Sequence, residues 1–461
     1  MNRYFQVLVL ETISVKINFK NIRMKRIYSL IAATLILVVF TSAQAQETWS
    51  LQKCIDYALK NNIQIKQQEL NSKYYNNQLG QAKLNRLPNL NAGLQNNQYF
   101  GRSDGGNGLI IDQNSNRTSA SLSSNITLWN GFTLKNAIKG ADMDLQASLQ
   151  DMQKAKDDMM LNIAAAYLEI LFADELLTVS KDLIKITQLQ IDRTEKLVEA
   201  GSLAKGSLLE IEAQYSREEL NVVNAQNRLQ LAYLALYQLL ELPSTESFKI
   251  EKPILPEIGA NMSLINSMDV FKNAVQLKPS VKSAEFKMES ARNQLRIAKG
   301  NLLPSLTFGG NYGNFYQDPG SSISNQLNVH GSYGFGLSLN IPIFNHFQAQ
   351  TGVSNSQIQL EISELQLQNA KNLLRKDIEQ AYTNAYAAFK RYIANQKTVV
   401  SSQEAFRYTE EKFNVGMINS VEYNQSKNNL SSAQSDLLQA KYEYIFRTKI
   451  LDFYNGQPID L

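Results

Sequence analysis

Residues that commonly carry chemistry are scarce in this chain of 461 residues. Cys54 is the only cysteine, which excludes an intrachain disulfide and a cysteine-based zinc site. His330 and His346 are the only histidines, so little material exists for a histidine-ligated metal or a histidine general base. The sequence contains no glycine-rich phosphate loop and no paired carboxylates at a suitable turn. We therefore expect no enzyme, no metal site and no cofactor.

The charge balance does not favour a nucleic-acid partner. The net charge is +4, but residues 1–45 contain six Lys or Arg and one acidic residue. Without them, 40 basic and 41 acidic side chains remain, a net charge of −1. We therefore expect no basic face of the kind that binds nucleic acid.

The N-terminal region has the pattern of a secretory signal peptide over residues 24–45. A basic start at Met24–Arg26 precedes the apolar run Ile27–Phe40, and Ala43 and Ala45 form a cleavage site before Gln46. The alternative is an N-terminal membrane anchor, but the apolar run is short for a bilayer span. Because no later window contains 18 unbroken apolar residues, we expect no transmembrane helix after it.

The chain after the signal is a tandem duplication. Ala58–Gly93 aligns without gaps on Ala274–Gly309 at a shift of 216, with 13 of 36 positions identical. A shift of 215 then aligns Phe132 with Phe347 and Gly201 with Gly416. Two nearly constant shifts over such lengths indicate two copies of one unit.

Each copy is predicted to contain a long helical hairpin. No proline occurs over 131–241 or 343–457, and proline is the main breaker of helices. Gly201 and Gly416 are the natural turns between antiparallel helices. Residues 132–200 as one helix would be roughly 100 Å long. The helices predicted over 63–87 and 203–241 would be about 37 and 60 Å long, so these two, stacked end to end, match the long helix.

Each copy is also predicted to contain a β-hairpin, over 89–129 and 304–343. Ala120, Leu122 and Ile126 alternate with small polar residues, as do Phe335 and Leu337 in the second copy. Period-two alternation of this kind is typical of transmembrane β-strands, the alternative being a half-buried hairpin in a soluble protein. Four strands are too few to close a barrel, so a membrane barrel would need several chains, and three chains would supply twelve strands.

The predicted organisation follows from these elements. We expect an extension and signal peptide over 1–45, followed by a first repeat over 46–241 with its helical hairpin at 131–241. A linker over 242–267 leads to a second repeat over 268–455 with its helical hairpin at 346–455. A short tail occupies 456–461.

The order and spacing of the motifs resemble the TolC-like outer membrane efflux proteins over 46–455. The resemblance rests on "LxxCIDYALKNN" at 51–62, on "LPxLxxG" at Leu87–Gly93 and Leu303–Gly309, and on "LWNGF" at Leu128–Phe132. It implies a homotrimer with a 12-stranded β-barrel in outer membrane lipid and a 12-helix α-barrel in the periplasm. It also implies a channel of a tripartite efflux or type I secretion system, supplied by an RND, ABC or MFS pump through a periplasmic adaptor.

The resemblance also implies roles for the hairpin turns. Val415, Gly416 and Met417 match the family's adaptor-contact turn, whereas Ala200-Gly201-Ser202 departs from it on both sides of the glycine. Two positions that narrow the closed pore in the family are occupied here by Glu422 and Gln425. Only Glu422 keeps a charge, so a trimer would have one ring of three carboxylates.

Two further expectations concern the helical region. Lys412 and Arg407 are candidate donors for contacts that would hold the closed state. The alternative function is a periplasmic coiled-coil scaffold or adaptor without a pore, which would explain the helices but not the paired hairpins with apolar outward faces.

Overall fold

The structure is a computed structural model that describes residues 48–104, 108–112, 114–242, 249–254, 258–259 and 264–460. The predicted cleavage residues Ala43, Ala45 and Gln46 lie outside the described residues, as does much of the predicted linker. The chain divides into two compact units. In the smaller unit, strand β1 (Thr48–Trp49) pairs in parallel with strand β6 (Lys249–Ile250).

The larger unit contains the same order of helices twice, which confirms the duplication. In each copy a short helix is followed by a 22-residue helix, a 67-residue helix and a return helix of 35 or 36 residues. The first copy contains α1 (Leu51–Asn61), α2 (Ile63–Leu84), α3 (Thr133–Glu199) and α4 (Lys205–Leu240). The second contains α5 (Ser267–Leu277), α6 (Pro279–Gly300), α8 (Gln348–Asn414) and α9 (Ser420–Tyr454), with an additional helix α7 (Ile323–Val329).

Two short helices are stacked end to end beside each long one, as predicted. The side-chain amide of Asn62, at the N-terminus of α2, donates to the Leu239 carbonyl at the end of α4 (3.1 Å). The Lys278 ammonium, at the N-terminus of α6, donates to the Phe453 carbonyl at the end of α9 (2.7 Å). Helices α3 and α8 each rise roughly 100 Å, and each stack reaches a similar length.

The packing arranges the helices four abreast at two levels. Near the sheet, α6 packs between α3 and α8, while α2 covers the other side of α3. Towards the turns, α4 packs on α3, and α9 packs on both α8 and α3. The middle of α3 is therefore buried on more than one side, including Ile163, Tyr167 and Leu171. A helix with neighbours on both sides needs apolar residues on both, which is why two apolar stripes occur there.

The four predicted strands form one antiparallel sheet, in the order β2 (Asn91–Tyr99), β5 (Ser115–Trp129), β7 (Ser305–Asp318) and β8 (Ser332–Asn340). The sequence predicts a simple hairpin for each pair of strands, but both connections contain further structure. The first contains a two-stranded ribbon, β3 (Arg102–Asp104) with β4 (Ile110–Asp112), and the second contains α7. Helix α7 lies beside β7, where the Gln326 amide exchanges two hydrogen bonds with the Gln317 backbone (2.8 Å each).

The strand register gives the sheet one apolar and one polar face. On the apolar face Leu122 pairs with Tyr312, which pairs in turn with Tyr333. On the polar face Ser121 pairs with Gly313, which pairs with Ser332. The predicted alternation is therefore confirmed, and it extends across all four strands. Among the described residues, no helix has an apolar stretch long enough to cross a bilayer.

Two consecutive left-handed residues precede each long helix. They are Gly131 and Phe132 before α3, and His346 and Phe347 before α8, with φ between 55° and 63°. A Cβ on Gly131 would lie 2.5 Å from the Gly300 carbonyl oxygen, so that junction requires glycine. The chain thus changes direction in the same way between strand and helix in both copies.

Candidate functional site at the turns of the helical hairpins

Both helical hairpins close with the same glycine turn. Gly201 and Gly416 have φ of 72° and 74°. The next residue donates its N–H to the carbonyl five positions earlier, from Ser202 to Leu197 and from Met417 to Lys412 (2.8 and 2.9 Å). This is a helix C-cap in which glycine takes the left-handed position without a Cβ penalty. The glycines therefore form the two turns that the sequence predicted.

The surfaces of the two turns differ. In the second hairpin, Val415 and Met417 are 70% and 74% exposed, and Val421 nearby is also exposed. In the first hairpin the exposed residue after the glycine is Ser202. The second turn therefore presents a small apolar patch, whereas the first is more polar.

Glu422 and Gln425 lie on one exposed stripe of α9. Their spacing of three places them on neighbouring turns of the same helix face, and both side chains are exposed. The Glu422 backbone N–H donates to the side chain of the N-cap residue Asn419 (2.9 Å), and the Gln425 amide donates to Asn429 (3.0 Å). The structure thus brings the two predicted aperture residues together, with a carboxylate in the first helical turn, where the helix dipole favours it.

Contacts between the two hairpins follow directly behind the turns. Arg193 on α3 donates to the side chain of Asn414 at the end of α8 (2.5 Å), and Ser420 on α9 donates to the Glu210 carboxylate on α4. Arg407 does not make such a contact. It pairs instead with Glu404 and Glu411 on its own helix, and Lys412 is exposed.

A buried ion pair joins the hairpins further along, and sequence reasoning missed it. The Lys427 ammonium on α9 lies 3.0 Å from the Glu218 carboxylate on α4, and these side chains are 3% and 7% exposed. Lys427 also donates to the Thr187 hydroxyl and to the Leu183 carbonyl on α3. Burial lowers the pKa of Lys427, an effect that the nearby Glu218 carboxylate opposes.

This ion pair borders a cavity of about 290 Å³ between α3, α4 and α9. Its lining is largely polar and includes Asn221, Asn224, Asn428 and Ser431. A signal for the pair does exist in the sequence. Glu218 lies on the same stripe of α4 as the buried residues Ile211, Gln214 and Ala225, so its spacing places it at an inward-facing position of the helix.

Known proteins are similar to this chain in sequence and in fold. The model of the outer membrane efflux protein family matches residues 54–241 and 270–453. The chain is 22% identical over 409 residues to toxin and drug export protein A of Aggregatibacter actinomycetemcomitans, covering 86% of this chain and 83% of that protein. It is 25% identical over 390 residues to the outer membrane protein TolC of Escherichia coli, covering 80% and 74%.

Solved structures have a similar fold. A crystal structure of CusC superposes with a TM-score of 0.76 at 18% sequence identity, over 88% of this chain and 92% of that one. Because the family model spans most of the chain and both copies of its repeat, the chain belongs to the outer membrane efflux protein family, whose members are outer membrane channels for efflux or secretion.

Proposed function

We propose that three copies of the chain assemble into the outer membrane channel of a tripartite efflux or type I secretion system. The supporting observation is the four-stranded sheet, whose edges are β2 and β8 and whose apolar face is exposed in the single chain. Four strands do not close a barrel, and an open sheet edge facing lipid would leave backbone groups without hydrogen bonds. Pairing β8 of one copy with β2 of the next closes a twelve-stranded barrel.

The helices support the same assembly. Four helices lie side by side at each level, so three copies supply twelve. A wall of that kind continues the barrel as a tunnel about 100 Å long into the periplasm. A scaffold or adaptor without a pore would have no use for a sheet with an exposed apolar face.

The turns form the periplasmic end of this channel. The exposed apolar residues Val415, Met417 and Val421 are suited to contact a periplasmic adaptor, and the more polar first turn makes a smaller contribution. The Glu422 carboxylates of three copies form the narrow ring, and Gln425 lines it. The contacts of Arg193 with Asn414 and of Ser420 with Glu210 keep the hairpins together in the closed state.

The partner pump belongs to the RND, ABC or MFS class. The relative from Aggregatibacter is named for the export of both toxins and drugs, so secretion and efflux both fit a channel of this type. Selection of the cargo is the task of the pump, because the polar face of the sheet, which lines the proposed barrel, consists mostly of serine, glycine and asparagine and offers few specific contacts.

The test asks whether the protein is integral to the outer membrane, whether it is a trimer and whether it forms channels. Outer membranes should keep the protein through a carbonate wash, and the detergent-purified protein should have the mass of three chains and form ion channels in planar lipid bilayers. A chain that carbonate releases, that has the mass of one copy and that forms no channels would be a scaffold.

A further inference from the structure

Charged side chains are almost absent from the four-stranded sheet. Its strands contain only two, Arg117 on β5 and Asp318 on β7. Arg117 pairs with Gln317 and shares the polar face with Ser119 and Ser121, whereas Asp318 pairs with Asn116 and belongs to the opposite face. Within the described strands, Arg117 is therefore the only charged residue on the polar face.

The Arg117 side chain is held against the sheet by aromatic stacking. Its guanidinium carbon lies 3.9 Å from the centroid of the Phe315 ring, a cation–π contact. The His330 ring stacks on the same phenyl ring at 3.9 Å with an interplanar angle of 8°, so Phe315 lies between the two. His330 Nδ1 is also 3.0 Å from the Phe315 carbonyl oxygen. The cation therefore has a fixed position on the polar face.

Within the described strands, no carboxylate on that face offsets this charge. The directly opposed residues are Asn97 on β2 and Gln317 on β7, and the surrounding residues of the face are uncharged polar residues or the aromatic residues Tyr99 and Phe315. In the ribbon beyond the sheet, Asp112 pairs with Arg102 (3.1 Å). An arginine side chain is positively charged at any pH that a cell meets.

Arg117 also lies at the end of the sheet remote from the helices. Trp129 ends β5 next to α3, and Arg117 precedes it by twelve residues, roughly 40 Å of strand. In the proposed trimer the polar face lines the barrel, so three copies of Arg117 surround the outer exit.

We infer that the Arg117 side chains form a cationic ring at the outer exit, which attracts small anions and organic substrates that carry a carboxylate or phosphate. This inference rests on the proposed channel. An uncompensated charge in a channel with walls of low dielectric concentrates counter-ions, and the effect is strongest at low ionic strength. Because Glu422 lies at the periplasmic end, the two ends of the pore carry opposite charges, and the conductance depends on the direction of the current.

The test measures the reversal potential and the current–voltage curve of single channels in planar bilayers under a low-salt KCl gradient. Arg117→Gln should raise the K⁺/Cl⁻ permeability ratio by about twofold and reduce the asymmetry of the curve. Arg117→Lys should behave as the wild type, because it keeps the charge. Arg102→Gln combined with Asp112→Asn, which removes both charges of the ion-paired ribbon in the same region, is the matched control and should change neither quantity.

A second variant covers the case in which Arg117→Gln does not fold. Asn97→Asp places a carboxylate directly opposite Arg117 on the same face and should produce the same shift. Channels of wild-type selectivity in both Arg117→Gln and Asn97→Asp would overturn the cationic ring and leave the proposed channel intact. A wild-type protein that forms no channel would overturn both.

Discussion

Glu422 and Lys427 are little more than one helical turn apart on α9, yet their surroundings differ. Glu422 is exposed, as the proposed carboxylate ring requires, whereas Lys427 is buried between three helices and joins the two hairpins. The position of Glu422 follows from the sequence, because its spacing from the Gly416 turn resembles the family pattern. The partner of Lys427 does not, because Glu218 is 209 residues away and only the fold brings the two together.

The carboxylate ring can be tested by removing one charge from each chain. Glu422→Gln should lower cation selectivity and weaken block by multivalent cations, because three converging carboxylates attract cations. Single-channel recording measures both quantities. Glu219→Gln, which neutralises an exposed carboxylate on α4, is the matched control and should change neither quantity. Unchanged selectivity and block in Glu422→Gln would mean that no such ring exists.

Replacing only one partner of the buried Lys427–Glu218 ion pair should destabilise the protein strongly. Lys427→Met leaves the Glu218 carboxylate buried without its cation, and a loss of roughly 3–5 kcal/mol of stability is expected. Glu218→Leu combined with Lys427→Met should recover much of this loss, since no charge then remains buried. Denaturant unfolding of the single and double variants measures the coupling. A loss in the double variant that equals the sum of the losses in Lys427→Met and in Glu218→Leu would argue against coupling between the two side chains.

At the scale of elements, glycine acts differently at a turn and within a helix. Gly416→Ala forces a Cβ into the left-handed region and should destabilise the hairpin by about 1–2 kcal/mol. Gly352→Ala, in the first turns of α8 with open space around it, should instead stabilise by about 0.5–1 kcal/mol. Thermal unfolding compares the two, and a stabilising Gly416→Ala would contradict the turn geometry.

The joint between α6 and α9 should make stability depend on pH. Burial lowers the pKa of Lys278 to about 8, and the nearby Asp157 opposes this shift. Between about pH 8 and the ordinary lysine pKa of 10.5, the unfolded chain binds more protons at this site than the folded one. The free energy of unfolding should therefore rise with pH across that window.

A variant isolates this contribution. Burial also raises the pKa of the adjacent Tyr454 to about 12, so this side chain makes the free energy of unfolding fall with pH above pH 10. The lysine contribution is therefore measured between pH 8 and 10. Lys278→Met should reduce the rise in stability there to the part that Lys427 supplies, because burial lowers the pKa of Lys427 as well. Lys272→Met, which replaces an exposed lysine on α5, should retain the full rise. Denaturant titrations at several pH values supply the comparison, and a rise of undiminished size in Lys278→Met would assign it to another group.

The sequence predicts these elements to different degrees. Both helical hairpins and the four strands follow from periodicity and from the positions of proline and glycine, which are local signals. Helix α7 could not be predicted in this way, because its seven residues have no helical pattern and Gln326 ties it to the Gln317 backbone. The start of α2 at residue 63 agrees with the prediction, and Asn62 there caps α2 and holds the end of α4 at the same time. The short helix α1 before it is not predicted from the sequence.

At the scale of the whole molecule, assembly depends on which face of the sheet meets lipid. Leu337→Arg places a charge on the apolar face and should cost roughly 2–4 kcal/mol at bilayer depth, which lowers the yield of trimer. Ser338→Arg, the next residue on the polar face, is the matched control and should have a milder effect. Native gel electrophoresis of outer membrane extracts measures the yield. Equal losses from the two changes would contradict a lipid-facing apolar surface.

The identical lengths of α3 and α8 constrain how this protein can evolve. Each long helix is 67 residues and is matched by a stack of two shorter helices, so a deletion in one arm would shift its turn out of level with the other. A change in tunnel length requires coordinated insertions or deletions in both repeats, and in both arms of each hairpin. Tunnel length is therefore inherited almost as a constant, and when the spacing between the two membranes of the cell envelope varies, the adjustment falls to the components that the tunnel meets.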